Sequence, residues 1–588
     1  MRLKVSDYIA SFLQNIGVRY VFGCVGGAVT HVVDSIFKQK GVKYIHSYHE
    51  QAAAFSASAL AKYKGSLGVA VATSGPGATN LITGIADAYF DSSPVLFITG
   101  QVNTYDFKYQ RPIRQCGFQE TDIVNIVKPI TKYSVLLDKV DKVEEELSKA
   151  VRIAVSGRPG PVLLDIPMDV QRGKISPKSL SAKAAYAPSN ASISMKDIEF
   201  VYDALARSER PLILAGGGCR VSDARGELVS LAENFCVPVV VSLLGKDCFP
   251  NDHKLFAGFI GAYGNRYANL ALAKSDLLIA LGSRLDSRQV GNILAPFSDK
   301  EIIQVDLEPD PTDHRFGKRK PIVSDVKNFI KQFCRFADVR EPEFKRHDEW
   351  INLINRLKQV FPPSSEPKRA RVESFHYSVM EEISRNLSPD DVICVDIGQN
   401  QMLAAQVLEI RGHQRFITSG GMAPMGYGLP ASLSIALESN RRVVMIAGDG
   451  GMQLNIHELN TVGKLRLPIV MFVLDNKSLG MIRQFQDLYF GSRHCDTDEC
   501  SGYYSPNFVA IAEAYGIEAL RITKNMPDWR QKVREALDKK TKVPLLVQIV
   551  LDYPTYIYPK LEFDKPINNP EPMITSEEEK MLNDLGVT

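Results

Sequence analysis

Short apolar runs of strand length alternate with helical stretches along this chain, and that alternation restricts the fold more than any other feature. The runs fall at 69–72, 95–99, 162–166, 212–215, 239–242, 277–282 and 302–305, then after a break at 392–396, 443–447, 469–474 and 545–550. Such a series predicts parallel sheets wrapped by helices, an α/β doubly wound architecture. Two changes in composition divide it: a Ser-, Lys- and Ala-rich stretch at 175–194 and a charged, Pro-containing one at 340–371. At 588 residues the chain exceeds what one core supports. Three α/β domains are therefore expected, at 1–180, 190–340 and 370–555, with a tail at 556–588 that carries Glu577, Glu578 and Glu579.

Charge excludes some functions. Lys plus Arg (70) nearly balances Asp plus Glu (67), so no overall field draws the protein to nucleic acid or an anionic membrane. The run Lys318, Arg319, Lys320 reads as a solvated loop. Nine cysteines follow neither a metal spacing nor a disulfide framework, which fits a reducing compartment and predicts a cytosolic protein. Near the N-terminus Val5, Ile9, Phe12, Leu13 and Ile16 share one helix face, unlike a signal-peptide core. No apolar run approaches the roughly 18 residues of a membrane span.

The sharpest motif is Gly448, Asp449, Gly450, followed after 24 intervening residues (451 to 474) by Asp475 and Asn476. Each half closes an apolar run. In parallel sheets ligands gather beyond the C-terminal strand ends, so Asp449 and Asn476 are candidates to meet there on one ion. A carboxylate, an amide oxygen and a backbone carbonyl near Ser478 are hard ligands for Mg or Ca, with phosphate oxygens completing the shell. Gly448, Gly450 and Gly451 let backbone amides approach a diphosphate. Taken singly, each half is an ordinary turn; the joint spacing argues against that.

Glu50, in His49-Glu50-Gln51, follows the strand-like segment 42–48 and precedes an Ala-rich helix, where it is placed to hydrogen-bond a heterocycle nitrogen. The plain alternative is a helix N-terminal carboxylate favoured by the dipole. Residues 73–80, with Pro76 and Asn80, form a glycine-rich strand-to-helix turn that admits a ligand or is simply a turn.

With these motifs the chain resembles the acetolactate (acetohydroxyacid) synthase family of thiamine diphosphate enzymes, from residue 1 to about 555. The likeness runs through 21–28, 49–53, 74–80, 98–102, 118–120, 157–171, 284–288, 417–430 and 448–486. It implies pyrimidine-binding, central and diphosphate-binding domains, paired as a homodimer or homotetramer with active sites between subunits. By the same resemblance Glu50 binds the aminopyrimidine nitrogen, and Gly398, Gln399, Asn400, Met402, Ala423 and Met425 hold the cofactor. Phe118, Gln119, Met481 and Ile482 border the reacting carbon, and Gly26, Gly27, Ala28 and Phe485 line the substrate pocket. Arg158, Gly216, Gly217, Gly218, Arg284, Asp286, Arg288, Asp306 and Asp325 correspond to FAD contacts, although flavin-free relatives keep the fold. The implied reaction is decarboxylation of pyruvate and transfer of its two-carbon unit to a carbonyl acceptor.

Departures from the pattern bear on the acceptor. Phe485 replaces a Trp, Asn400 and Tyr263 each replace a His, Val25 replaces a Pro, and Pro424 replaces a small residue. The tail from Pro559, especially 566–573, looks more like carboligases of surface-polysaccharide pathways, which implies a nucleotide-linked keto sugar as an alternative acceptor. A flavin-dependent pyruvate oxidase and a non-catalytic relative of the fold are the other readings. His494, Cys495 and Cys500 lack a second pair at zinc spacing and fit a loop at the mouth of the site.

Overall fold

The computed structural model describes residues 2–177, 192–310, 313–340, 346–439, 441–538 and 543–584. The expected linker at 175–194, with the domain boundary at 180 to 190, lies mostly outside the described residues, as do positions 341–345 of the second. Three six-stranded sheets, every neighbouring pair parallel, carry the architecture.

The first sheet has β1 (Tyr20–Gly23), β2 (Lys43–His46), β3 (Gly68–Ala72), β4 (Val95–Gln101), β5 (Tyr133–Leu136) and β6 (Val162–Pro167), in the order β2-β1-β3-β4-β6-β5. The N-terminal helix Val5–Asn15 buries Val5, Ile9, Phe12 and Leu13 beside this sheet. The second sheet has β7 (Pro211–Ala215), β8 (Val239–Val241), β9 (Phe256–Phe259), β10 (Leu277–Leu281), β11 (Glu301–Asp306) and β12 (Arg319–Val323), ordered β9-β8-β7-β10-β11-β12. The third has β13 (Val392–Val395), β14 (Arg415–Ile417), β15 (Val443–Gly448), β16 (Ile469–Asp475), β17 (Glu518–Thr523) and β18 (Leu545–Val550), ordered β14-β13-β15-β16-β18-β17. In each sheet the chain order reverses beside a central strand, and ligands of such sheets bind in the crevice outside the strand ends at that point.

The basic run corrects one expectation. Only Lys318 lies in a loop; Arg319 and Lys320 open the edge strand β12, where Arg319 Nε donates to Gln304 Oε1 at 2.7 Å. Arg319 also donates to Asp310 O at 2.8 Å and Lys320 pairs with Asp197 at 2.7 Å, so both charges are held against the edge of the sheet.

Four helices position the candidate site: α1 (Glu50–Lys64), α2 (Gly428–Ser439), α3 (Asp449–Leu454) and α4 (Gly480–Tyr489). α1 is an Ala-rich helix buried over most of its length, which lets it approach α2 closely. Phe55 packs on Tyr427 with ring centroids 5.6 Å apart, and Ser56 Oγ donates to Pro430 O at 3.0 Å. One apolar cluster thus runs from Phe97 and Leu163 of the first sheet to Met445 and Met471 of the third.

The tail returns to the central domain. Leu561 N donates to Ala262 O at 2.7 Å, Ile567 and Leu582 are buried, and a helix forms at Ser576–Asp584. Arg266 and Glu366 form a buried two-pronged ion pair, and Arg266 also donates to the carbonyls of Pro570 and Pro572. All nine cysteines are free thiols. Among the described residues no helix is long and apolar enough to cross a membrane.

Candidate active site

The ends of β15 and β16 are adjacent because these strands pair in register up to Gly448 and Leu474. That pairing brings the two halves of the sharpest motif together. Asp449 Oδ2 and Asn476 Oδ1 both accept from the Ser478 N–H, each at 3.2 Å, so the two oxygens converge on one point. Asp449 is buried, and burial, reinforced by the nearby Asp475 charge, pushes its carboxyl up to about 7 against the hydrogen bond from Tyr503 (3.0 Å). A buried carboxyl whose desolvation its neighbours do not offset is suited to receive a cation. Asp475 itself is engaged elsewhere, accepting from Ser505 Oγ and Gln548 Nε2. Among the described residues no group of three His, Cys, Asp or Glu side chains comes together to hold a metal. The cage formed by Asp449 and Asn476 is of another kind, one carboxylate with one neutral amide oxygen, both turned to the Ser478 N–H. His494, in the loop after α4, pairs with Asp487 of that helix and with Asp498.

Around this cage the glycines are required by close approach. A Cβ on Gly451 would lie 2.4 Å from Asp396 Oδ1, and one on Gly450 would lie 3.1 Å from Met425 Cε. Asp396 organises the facing turn by accepting from the N–H groups of Gly426 (3.1 Å) and Gly428 (2.7 Å). Burial pushes its carboxyl up to about 6 in spite of these bonds. Gln399 ties three segments together: its Nε2 donates to Gly480 O, Gln484 Oε1 and Thr555 O, while Thr555 Oγ1 donates to its Oε1. Asn400 Nδ2 donates to Asp396 O at 2.6 Å, and its Oδ1 faces Gly398 and Gly448. Met402 and Met481 pack half-buried against the core. Gln119, Ala423 and Lys477 hold φ of 63°, 55° and 53° without being glycine. Strained backbone of this kind concentrates where a site needs preset geometry.

A second cluster forms at the C-terminal ends of the first sheet. Glu50 opens α1, is largely buried, and its Oε2 accepts from Asn80 Nδ2 at 2.9 Å. Its other oxygen faces Gly77, where a Cβ would come within 3.1 Å. The loop of Gly26, Gly27 and Ala28 lies on Thr73, whose side chain a Cβ on Gly26 would meet at 2.6 Å. Gln119 covers Gly75 at the other side of Pro76, and Phe118 beside it is 86% exposed. The two clusters touch at Gln51, whose Oε1 accepts from Asn455 Nδ2 at 3.4 Å, and at Tyr48, whose N–H donates to Glu458 at 2.7 Å.

Of the central-domain residues, Gly216, Gly217, Gly218, Arg284, Asp286 and Arg288 follow β7 and β10 at the switch point, whereas Asp306 closes β11 and Asp325 follows β12. Gly216 and Gly218 cross the loop after β10, where a Cβ on Gly218 would lie 2.5 Å from Gly282 Cα. Backbone crossing is therefore one physical reason for these glycines, while Gly217 faces Leu244. Arg284 pairs with Asp286 at 2.8 Å on the surface, and Arg288 is exposed beside them. Arg158 reaches from the first domain to Glu308 (3.8 Å), in the loop that Asp306 shapes by accepting from the Glu308 N–H. Asp325 caps the helix Val326–Val339 through the Asn328 N–H.

Several contributors carried no motif. Tyr503 and Thr555 reach the cage from loops far along the chain, and only the fold shows it. Asp396, at the end of an apolar run, was legible as a strand end and not as the anchor of the 426–428 turn.

Comparison with known proteins accords with this arrangement. Residues 3–126 match the thiamine pyrophosphate enzyme N-terminal TPP binding domain, 198–333 its central domain, and 396–549 its C-terminal TPP binding domain. The chain is 38% identical over 562 residues to the probable acetolactate synthase large subunit of Methanocaldococcus jannaschii, covering 94% of this chain and 92% of that protein. It is 34% identical to the acetolactate synthase large subunit of Corynebacterium glutamicum (95% and 88% covered) and 32% identical to the isozyme 3 large subunit of Escherichia coli (95% and 96%). Similarity at this level, spanning all three sheets and both clusters at the strand ends, means that the chain belongs to the acetolactate synthase large-subunit family of thiamine pyrophosphate enzymes.

Proposed function

We propose that this enzyme decarboxylates pyruvate and joins the remaining two-carbon unit to a second carbonyl compound, with thiamine diphosphate and Mg²⁺ as cofactors. The observation that carries the reading is the convergence of Asp449 Oδ2 and Asn476 Oδ1 on the Ser478 amide at the ends of adjacent strands. Hard oxygens with a single buried carboxylate suit a small divalent ion that shares its shell with phosphate. Bound thiamine diphosphate supplies an acidic ring carbon and an electron sink, the chemistry that lets a 2-oxo acid lose CO₂ and be joined to a carbonyl.

The chain's own residues would position and gate that chemistry. Glu50, held through Oε2 by Asn80, keeps Oε1 available to exchange a proton with a heterocycle nitrogen. Met425, whose Cε lies 3.1 Å from where a Cβ on Gly450 would stand, would contact the cofactor ring, and the turn at Ala423, with φ of 55°, would offer it backbone polar groups. Phe118, Gln119, Gly26, Gly27 and Ala28 would face the donor, and Ile482 and Phe485 on α4 would wall the acceptor pocket. No side-chain nucleophile is required.

FAD is proposed for the switch point of the central domain. The crossing loops at Gly218 and Gly282, with Arg284 and Arg288 exposed beside them, support a dinucleotide there. A homodimer or homotetramer with shared sites is proposed on the exposed aromatic surface around Tyr105 and Phe118, which a partner would cover. The names of the relatives favour carboligation to a 2-oxo acid over the keto-sugar and oxidase alternatives.

The test is incubation with labelled pyruvate, Mg²⁺, thiamine diphosphate and a panel of acceptors, with products identified by mass spectrometry. Glu50→Gln should lower carboligation by about 100-fold or more, the range of a positioned proton-transfer group. Undiminished activity would remove Glu50 from its role.

A further inference from the structure

Beyond the cage, the exposed face of α4 carries Phe485 and Tyr489, with ring centroids 4.8 Å apart. Phe563 of the tail lies across both, 6.0 Å and 5.4 Å away, and is 61% exposed. Beneath these rings sits Lys560. Its backbone is fixed by paired hydrogen bonds with Glu571 (2.9 and 2.8 Å), and its Nζ lies 5.0 Å from the Tyr489 ring and 5.8 Å from that of Phe485.

The Lys560 side chain is 5% exposed, and its Nζ has no hydrogen-bond acceptor. Burial pushes this ammonium down to about 8, against the opposing pull of Glu562. Burying an ammonium without a hydrogen-bonding partner is destabilising, and the faces of aromatic rings offset only part of that cost. Packing alone does not explain the residue, since a methionine would fill the same space at no electrostatic cost. Glu562 acts on the ammonium through its charge alone, without a hydrogen bond, which leaves the Nζ donors free for an anion.

Location says where that anion comes from. Helix α4 begins at Gly480, against Asn476 and Gln399, and Phe485 is five residues on, about 7.5 Å along the axis. A molecule of a few carbons bridges that distance. We infer that Lys560 determines specificity for the second substrate, its ammonium pairing with the carboxylate or phosphate of an anionic carbonyl acceptor beneath Phe563. This rests on the reading of Phe485 as a wall of the acceptor pocket.

The experiment holds labelled pyruvate fixed as donor and offers 2-oxobutyrate, methyl 2-oxobutyrate, propanal or glycolaldehyde phosphate, with products quantified by mass spectrometry. Wild-type protein should prefer 2-oxobutyrate to its methyl ester at least tenfold in kcat/KM. Lys560→Met should lose that preference by raising the KM of anionic acceptors tenfold or more, leaving propanal and the pyruvate donor within twofold; Lys560→Arg should retain it. Loss with the carboxylate alone names a 2-oxo acid, and loss with the phosphate alone names a phosphorylated acceptor. An unchanged product ratio in Lys560→Met, or a uniform fall with all acceptors, overturns the inference and leaves the carboligase reading standing. Absence of any carboligation product from wild-type protein overturns both. Should Lys560→Met fail to fold, equal wild-type kcat/KM for acid and ester would overturn the inference by itself.

Discussion

Replacing Lys62 with Met tests how the first domain holds the cofactor turn of the third. Lys62 Nζ lies 2.6 Å from Asp91 and 3.6 Å from Asp87, both fully buried, and 4.6 Å above the Tyr427 ring. Burial opposes its charge, but Asp87 and Asp91 outweigh it and raise its pKa. Asp91 in turn accepts from the N–H groups of Gly420 (3.1 Å) and Gly421 (2.7 Å), at the start of the turn that carries Ala423 and Met425. Removing one partner of a buried ion pair typically costs about 3–5 kcal/mol. The lower end applies, because Asp91 keeps its two backbone donors and Asp87 keeps Ser58. At about 2–4 °C per kcal/mol for a domain-sized cooperative unit, Lys62→Met should lower the melting temperature by about 6–12 °C. Differential scanning calorimetry reads this directly, and quenching of protein fluorescence by thiamine diphosphate should show weakened cofactor binding. A melting temperature within about 2 °C of wild type would refute the reasoning.

Other outcomes follow from the same geometry. Asp449→Asn removes the only charge of the cage and should weaken Mg²⁺-dependent binding of thiamine diphosphate by about 100-fold or more, measured by calorimetric titration. Gly218→Ala places a methyl 2.5 Å from Gly282 Cα and should destabilise the central domain by about 1–3 kcal/mol in denaturant unfolding. His376 is buried, with burial taking its pKa down from 6.5 to about 4 in spite of its bond to Tyr556 O. Its contribution is complete above pH 6.5 and lost as pH falls towards 4, about 3 kcal/mol in all. His376→Gln should flatten the stability profile over that window.

The strands that announced themselves were those buried on both faces, such as Val162–Pro167 and Ile469–Asp475, where apolar residues leave water and the one carboxylate in each, Asp165 or Asp475, is buried with hydrogen-bond donors. Those that stayed hidden are mostly edges. Tyr133–Leu136, Arg319–Val323 and Glu518–Thr523 are half-exposed; the first is short and includes Ser134, and the other two mix charged with apolar residues. Arg319 and Lys320 were read as loop for that reason. Within the site, the motif at 448–451 and 475–478 was legible because paired strands fix the spacing of its halves. Tyr503, Thr555 and Asp91 were not, since their contacts join segments 54, 156 and 329 positions apart and nothing local marks them. The glycines at 216–218 point to a ligand turn in sequence, and in space Gly216 and Gly218 also let one loop pass under another.

The clamp of Arg266, itself held by Glu366, on the carbonyls of Pro570 and Pro572 gives the last residues a role that a loose extension would not have. It stretches the 560–572 segment between two anchors, one on the central domain and one over α4, like a strap fastened at both ends. With α4 as the proposed wall of the acceptor pocket, exchanging that strap alone would change what covers Phe485 and Tyr489 while leaving the strand ends untouched.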